Sequence, residues 1–138
     1  MEKIFIIILT LSVVIIIPWM MRRDFQKRML KDLRSEILSN MERIKEYVRG
    51  LPENDTDKDL GVELCTPVLT DTVFKKMLRE HFHSRVLSND DKDMLEKVLT
   101  NNFRHTGNIK RRDCMNICLE QIHILEGIQE KIDGFLKE

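Results

Sequence analysis

Eighteen consecutive residues without a charge, Ile4 to Met21 (IFIIILTLSVVIIIPWMM), constrain this chain more than any other feature. As a helix they extend about 27 Å at ~1.5 Å per residue, close to the ~30 Å hydrocarbon core of a bilayer. So long an apolar helix is hard to hide inside a domain built from the rest of a 138-residue chain. The hydroxyls of Thr10 and Ser12 are expected to return to backbone carbonyls of the same helix, which removes most of their cost in an apolar surrounding. Pro18 has no N–H and is expected to kink or locally open the helix near its end. Trp19 stands beside the charged flank, where an interfacial tryptophan belongs.

A cleaved signal peptide is the rival reading of the same residues. Such a peptide carries a positive start and small residues at its exit. This chain starts Met-Glu-Lys and leaves the apolar stretch through Pro-Trp-Met-Met-Arg-Arg, so a retained single-pass anchor fits better. Arg22, Arg23, Lys27, Arg28 and Lys31 follow the stretch, and only Lys3 precedes it. The positive-inside rule then places the N-terminus outside and everything after residue 23 in the cytoplasm of a cell or inner membrane. Three cysteines, an odd number without regular spacing, agree with a reducing compartment and argue against a disulfide scaffold.

The remaining residues suit one domain of about 115 residues. Residues 1–23 are expected to form the anchor and 24–138 an all-α domain, an antiparallel bundle of about four helices. Few glycines (5), few prolines (3) and 6% aromatics favour helices over sheets. Leu30, Leu33, Ile37, Met41, Ile44 and Val48 recur at steps of three and four and mark the inner face of a helix over 24–49. The stripe also fits a short coiled-coil seam, so self-association through a stalk is a second use for it. Gly50 and Pro52 are expected to stop the helix, the glycine at C′.

Residues 51–59 (LPENDTDKD) read as an acidic linker, and 60–69 as an irregular or briefly extended segment, for which a strand partner is not obvious. A helix is predicted after a Thr70–Asp71 cap, with Val73, Phe74, Met77, Leu78 and Phe82 at helical spacing. Ser88-Asn89-Asp90 breaks it and caps the next helix. There Asp90, Asp91 and Asp93 suit the dipole, and Met94, Leu95, Val98 and Leu99 are expected to be buried. A last helix over about 109–136 carries a broad apolar face (Met115, Cys118, Ile122, Leu125, Ile128, Ile132 and Phe135, widened by Ile117, Leu119 and Ile124). It is expected at the centre of the bundle, antiparallel to the 24–49 helix.

Charge is balanced overall, 23 basic against 23 acidic residues, yet it alternates in blocks. Residues 22–49 hold nine basic and five acidic side chains, a surplus of +4, and 104–112 hold four basic and no acidic ones. No global basic charge points to nucleic acid. The basic turn TNNFRHTGNIKRR (100–112) brings Arg104, His105, Lys110, Arg111 and Arg112 to a helix start. There free N–H groups and cations make a candidate anion site for a nucleotide phosphate or a lipid headgroup. A solvated turn balancing the acidic linker is the plainer alternative.

Cys114 and Cys118 share a helix face, but two ligands do not make a zinc site, and both read better as small buried hydrophobes. His81 and His83 point to different faces. Neither Ser84 nor Cys65 has a nucleophile context, and no catalytic, P-loop or dinucleotide motif is present. No cofactor, metal or enzymatic activity is expected. The expected role is a membrane-anchored interaction or regulatory protein whose bundle binds a partner protein or self-assembles at the inner face. Trp19, Arg22, Arg23, Lys27 and Arg28 would flank the lipid. The alternative is an effector gated by an anionic small molecule at 104–112.

Overall fold

The computed structural model describes residues 1–51, 67–79, 86–100 and 111–137. Four helices lie among them: α1 (Glu2–Arg49), α2 (Thr72–Arg79), α3 (Asn89–Thr100) and α4 (Arg111–Leu136). The chain is all-α, as its spacing predicts, and no strand occurs among the described residues. Residues 67–71 are neither helix nor strand, while 52–66, which include most of the acidic linker, lie outside the described residues.

The apolar stretch and the 24–49 segment form one helix, and α1 passes through residues 23 and 24 without a break. It also runs through Pro18 as helix on both sides. Thr10 Oγ1 donates to the Ile6 carbonyl (2.7 Å) and Ser12 Oγ to that of Ile8 (2.8 Å), the backbone returns their positions predict. At its other end α1 stops at Gly50, but not by the left-handed turn a C′ glycine usually supplies. Gly50 has φ −78° and its N–H donates to the Glu46 carbonyl at 3.0 Å. Leu51 N–H donates to Val48 O at 3.2 Å, one residue tighter than a helical bond. The Leu51 side chain is buried beside Cys114, so the exit from α1 is fixed by packing rather than by glycine's freedom.

From Met29 onward α1 is the spine of the bundle. Leu30, Leu33, Ile37 and Ile44 are fully buried, each contributing about 1.5–3 kcal/mol through removal from water. Helix α4 packs along this face, α2 packs on α1, and α3 packs on α4. Arg34 meets Asp133 at one end of the seam and Tyr47 meets Cys114 at the other, so α1 and α4 run antiparallel. One apolar cluster joins all four helices, with Phe74 and Met77 from α2, Leu95 and Val98 from α3, and Leu125 and Ile132 from α4.

Three polar residues inside this core do structural work that spacing does not reveal. The Glu36 carboxylate accepts the N–H groups of Val73 and Phe74, both at 3.1 Å. These are donors of the first turn of α2 that have no partner within that helix, so a side chain of α1 caps α2. Asn40, with no exposed surface, bonds Thr70 one turn further along. Helix α3 opens on a reciprocal capping box: Ser88 Oγ accepts Asp91 N–H (3.1 Å) and Asp91 Oδ2 accepts Ser88 N–H (3.0 Å). Asp91 is buried and also binds Lys131 of α4. This turns α3 so that Asp91, Leu95, Val98 and Leu99 face inward, while Met94, expected in the core, is 45% exposed.

Candidate functional site

Two regions carry the residues singled out in the sequence, and their described residues lie at opposite ends of the seam. The first is the boundary between the apolar stretch and the bundle. Residues 1–25 are exposed but for a half-buried Ser12, and no part of the most apolar window of α1 is buried against the rest of the chain. A core helix of a soluble domain would be covered; this one is long and apolar enough to cross a membrane and is bare. At its end the Arg23 guanidinium carbon lies 5.6 Å from the centre of the Trp19 ring. The two residues are one turn apart on α1, so the cation rests on the aromatic face while its stem covers apolar surface. Arg22 and Arg28 are exposed and Lys27 is half-buried where the bundle begins.

The second region is the basic turn. Arg104, His105 and Lys110 lie outside the described residues, as do His81, His83, Ser84 and Cys65. Among the described residues α4 begins at Arg111, and Arg112 is exposed in its first turn; residues 109 and 110 of the predicted start lie outside them. Antiparallel packing sets where the start of α4 lies. Cys114 touches Tyr47, which is 26 residues past Met21 (47 − 21), or about 39 Å along the helix at ~1.5 Å per residue. Arg111 and Arg112 therefore lie at the far end of the bundle from the apolar stretch.

No family model, curated protein or solved structure matches the chain.

Cys114 and Cys118 are fully buried and are not joined in a disulfide among the described residues. Tyr47 Oη lies 3.7 Å from Cys114 Sγ, a weak polar contact inside an apolar pocket with Leu51, Met115 and Ile117. Their surroundings are those of small hydrophobic residues, as expected from their stripe. Among the described residues no cluster of three or more His, Cys, Asp or Glu side chains is placed to hold a metal.

The electrostatic feature that spacing missed is the Asp91–Lys131 pair. Lys131 Nζ is 2.7 Å from Oδ1 and 2.9 Å from Oδ2. Burial alone would raise the Asp91 carboxyl, but the Lys131 ammonium and the Ser88 N–H and hydroxyl outweigh it and hold the pKa below the ordinary carboxylate value. A signal was present in the sequence: Ser88 and Asp91 stand three apart, the spacing of a capping box. Lys131, forty residues on, could not be found that way.

Proposed function

We propose that this chain is a single-pass membrane protein whose α1 anchors a helical interaction or regulatory module at the inner face of a membrane. The observation that carries the reading is the division of α1: its first part is apolar and wholly uncovered, and its second part is the spine of a packed bundle. An uncovered stretch of this length in water would cost free energy on the order of 25 cal/mol for every Å² of apolar surface left wet. Lipid or other copies of the same stretch remove that cost. The basic residues after Met21, against Lys3 alone before the stretch, favour a cytoplasmic bundle. The Trp19–Arg23 pair stands where a headgroup layer would meet the helix.

The bundle then acts by contact, either with a partner protein or with further copies of itself. Fractionation tests the anchor. The full chain is expected in the membrane pellet after alkaline extraction, and Ile8→Arg with Val13→Arg is expected to move it to the supernatant, because each arginine near the centre costs about 2.5–3.5 kcal/mol on insertion scales. Light scattering in detergent, with capture of bound protein from the same extract, tests the interaction. A chain that remains monomeric and brings nothing with it overturns that half of the reading.

A further inference from the structure

The end of the bundle nearest the apolar stretch holds a groove that the sequence reading did not identify. Lys31, Arg34 and Ser35 of α1 form one wall; Asp133 and Leu136 of α4, with Lys137 just after it, form the other. The open volume is about 530 Å³, within the ~300–1,000 Å³ range of small-molecule sites. Three cations face one carboxylate, a local surplus of two positive charges (3 − 1). Arg34 Nε is hydrogen-bonded to Asp133 Oδ1 across the seam. That contact uses Nε, one of the five N–H donors of the guanidinium.

We infer that this groove binds a phosphate group, held by Lys31, Arg34 and Lys137 with the Ser35 hydroxyl as a further donor. Several cationic donors converging from two helices is the arrangement that recognises a phosphate, and Leu136 supplies an apolar surface for whatever the phosphate is attached to. Because α1 is unbroken, its helical repeat puts Arg23, Lys27, Lys31 and Arg34 on one side, so cations lead from the end of the apolar stretch to the groove. Lys31 is ten residues past Met21 (31 − 21), about 15 Å along α1 and above a headgroup layer ~5–8 Å deep. A free phosphorylated compound reaches it without constraint; a lipid does so only through a phosphate carried well above the bilayer. The bound phosphate takes the other Arg34 donors and leaves the Nε bond to Asp133 in place, so phosphate and carboxylate share one guanidinium. The inference does not rest on the anchoring proposal, since the groove is made by α1 and α4 whatever solvent surrounds residues 4–21.

Inorganic pyrophosphate is the probe, titrated calorimetrically into the full chain in phosphatidylcholine nanodiscs, or in buffer should the chain prove soluble. Saturable binding is expected. Lys31→Gln with Lys137→Gln should weaken it by roughly tenfold or more, the scale of two lost charge-assisted contacts, and Asp133→Asn should tighten it. Circular dichroism checks that the variants fold, and Lys137→Gln alone, in the exposed last turn, serves if the double variant does not. A second arm replaces the discs with equimolar phosphatidylcholine and phosphatidylserine and follows the amide resonances of Lys31, Arg34 and Lys137. Shifts there without added pyrophosphate assign the phosphate to lipid; their absence, with pyrophosphate binding, assigns it to a free compound. Affinity unchanged by the lysine substitutions, or saturation by neither source, overturns the site.

Discussion

Asn40 and Thr70 share three hydrogen bonds: Asn40 Nδ2 donates to the Thr70 carbonyl at 2.8 Å, and Thr70 N–H and Oγ1 donate to Asn40 Oδ1 at 2.9 and 3.0 Å. One buried amide of α1 thus satisfies both backbone groups of the residue that leads into α2. With Glu36 one turn earlier, it fixes where that short helix starts and how it lies on the spine.

Asn40→Ala removes all three bonds and leaves the backbone groups of Thr70 without their partner. Such groups cost about 1–3 kcal/mol each when buried, so a loss on the order of 2–4 kcal/mol is expected by chemical denaturation. Asn40→Asp tests the geometry: it keeps the acceptor but loses the donor to the Thr70 carbonyl. A loss below about 0.5 kcal/mol for the alanine variant would show that Thr70 finds other partners at no cost.

Glu36→Ala uncovers the Val73 and Phe74 N–H groups at the start of α2. Loss of a cap is worth about 0.5–2 kcal/mol. The effect should be local: hydrogen exchange of Lys75 to Leu78 should accelerate more than that of α4. Uniform acceleration across all helices would mean that α2 has no separate opening to be protected.

The pH dependence of stability should carry a component from Asp91. Its pKa is lowered in the folded chain, so it contributes stability above the ordinary carboxylate pKa, and that contribution is lost as pH falls through the folded value. The loss is therefore expected below about pH 4–5 and to deepen toward pH 3. Asp91→Asn should be less stable than the parent at neutral pH and should show a smaller fall over this window. Parallel melting-temperature profiles for the two chains from pH 7 to about pH 3 would remove the assignment.

Gly50→Ala should be tolerated and is expected to raise stability by about 0.4–1 kcal/mol, because the right-handed φ at this position suits any residue and the unfolded chain loses freedom. An added Cβ would meet only the Glu46 and Tyr47 carbonyls, both at 3.6 Å. Destabilisation beyond about 1 kcal/mol would mean that Gly50 needs a conformation other than the one seen.

What could be read from the sequence follows the physics of each element. The stripe from Leu30 to Val48 and, apart from Leu119, which is 54% exposed, that of α4 were legible because apolar burial repeats with the helix, and the antiparallel pairing of α1 with α4 followed from their broad inner faces. Gly50 marked the right stopping place for a different reason, since Leu51 packing sets the exit. Glu36, Asn40 and Asp91 were not legible as core residues. Spacing counts a polar side chain as exposed, and each is buried because its partner, thirty or more residues away, completes its hydrogen bonds. Met94 was misplaced for the same reason: the ion pair to Lys131, not the apolar count, sets the rotation of α3. For the candidate sites, the flanking cations after Met21 were visible as a charge cluster. The groove joining Lys31 and Arg34 to Lys137 required knowing that the end of α4 comes back beside the start of the covered part of α1.

Because α1 has no joint between its bare and covered parts, the bundle cannot swivel freely on the apolar stretch. Arg49 is 28 residues past Met21 (49 − 21), a lever of about 42 Å at ~1.5 Å per residue. Inclining the apolar stretch by ~10°, well inside the range transmembrane helices adopt, would sweep the far tip through about 7 Å. On the proposed membrane placement, bilayer thickness or lateral crowding around residues 4–21 would thereby be converted into displacement of the remote end of the bundle.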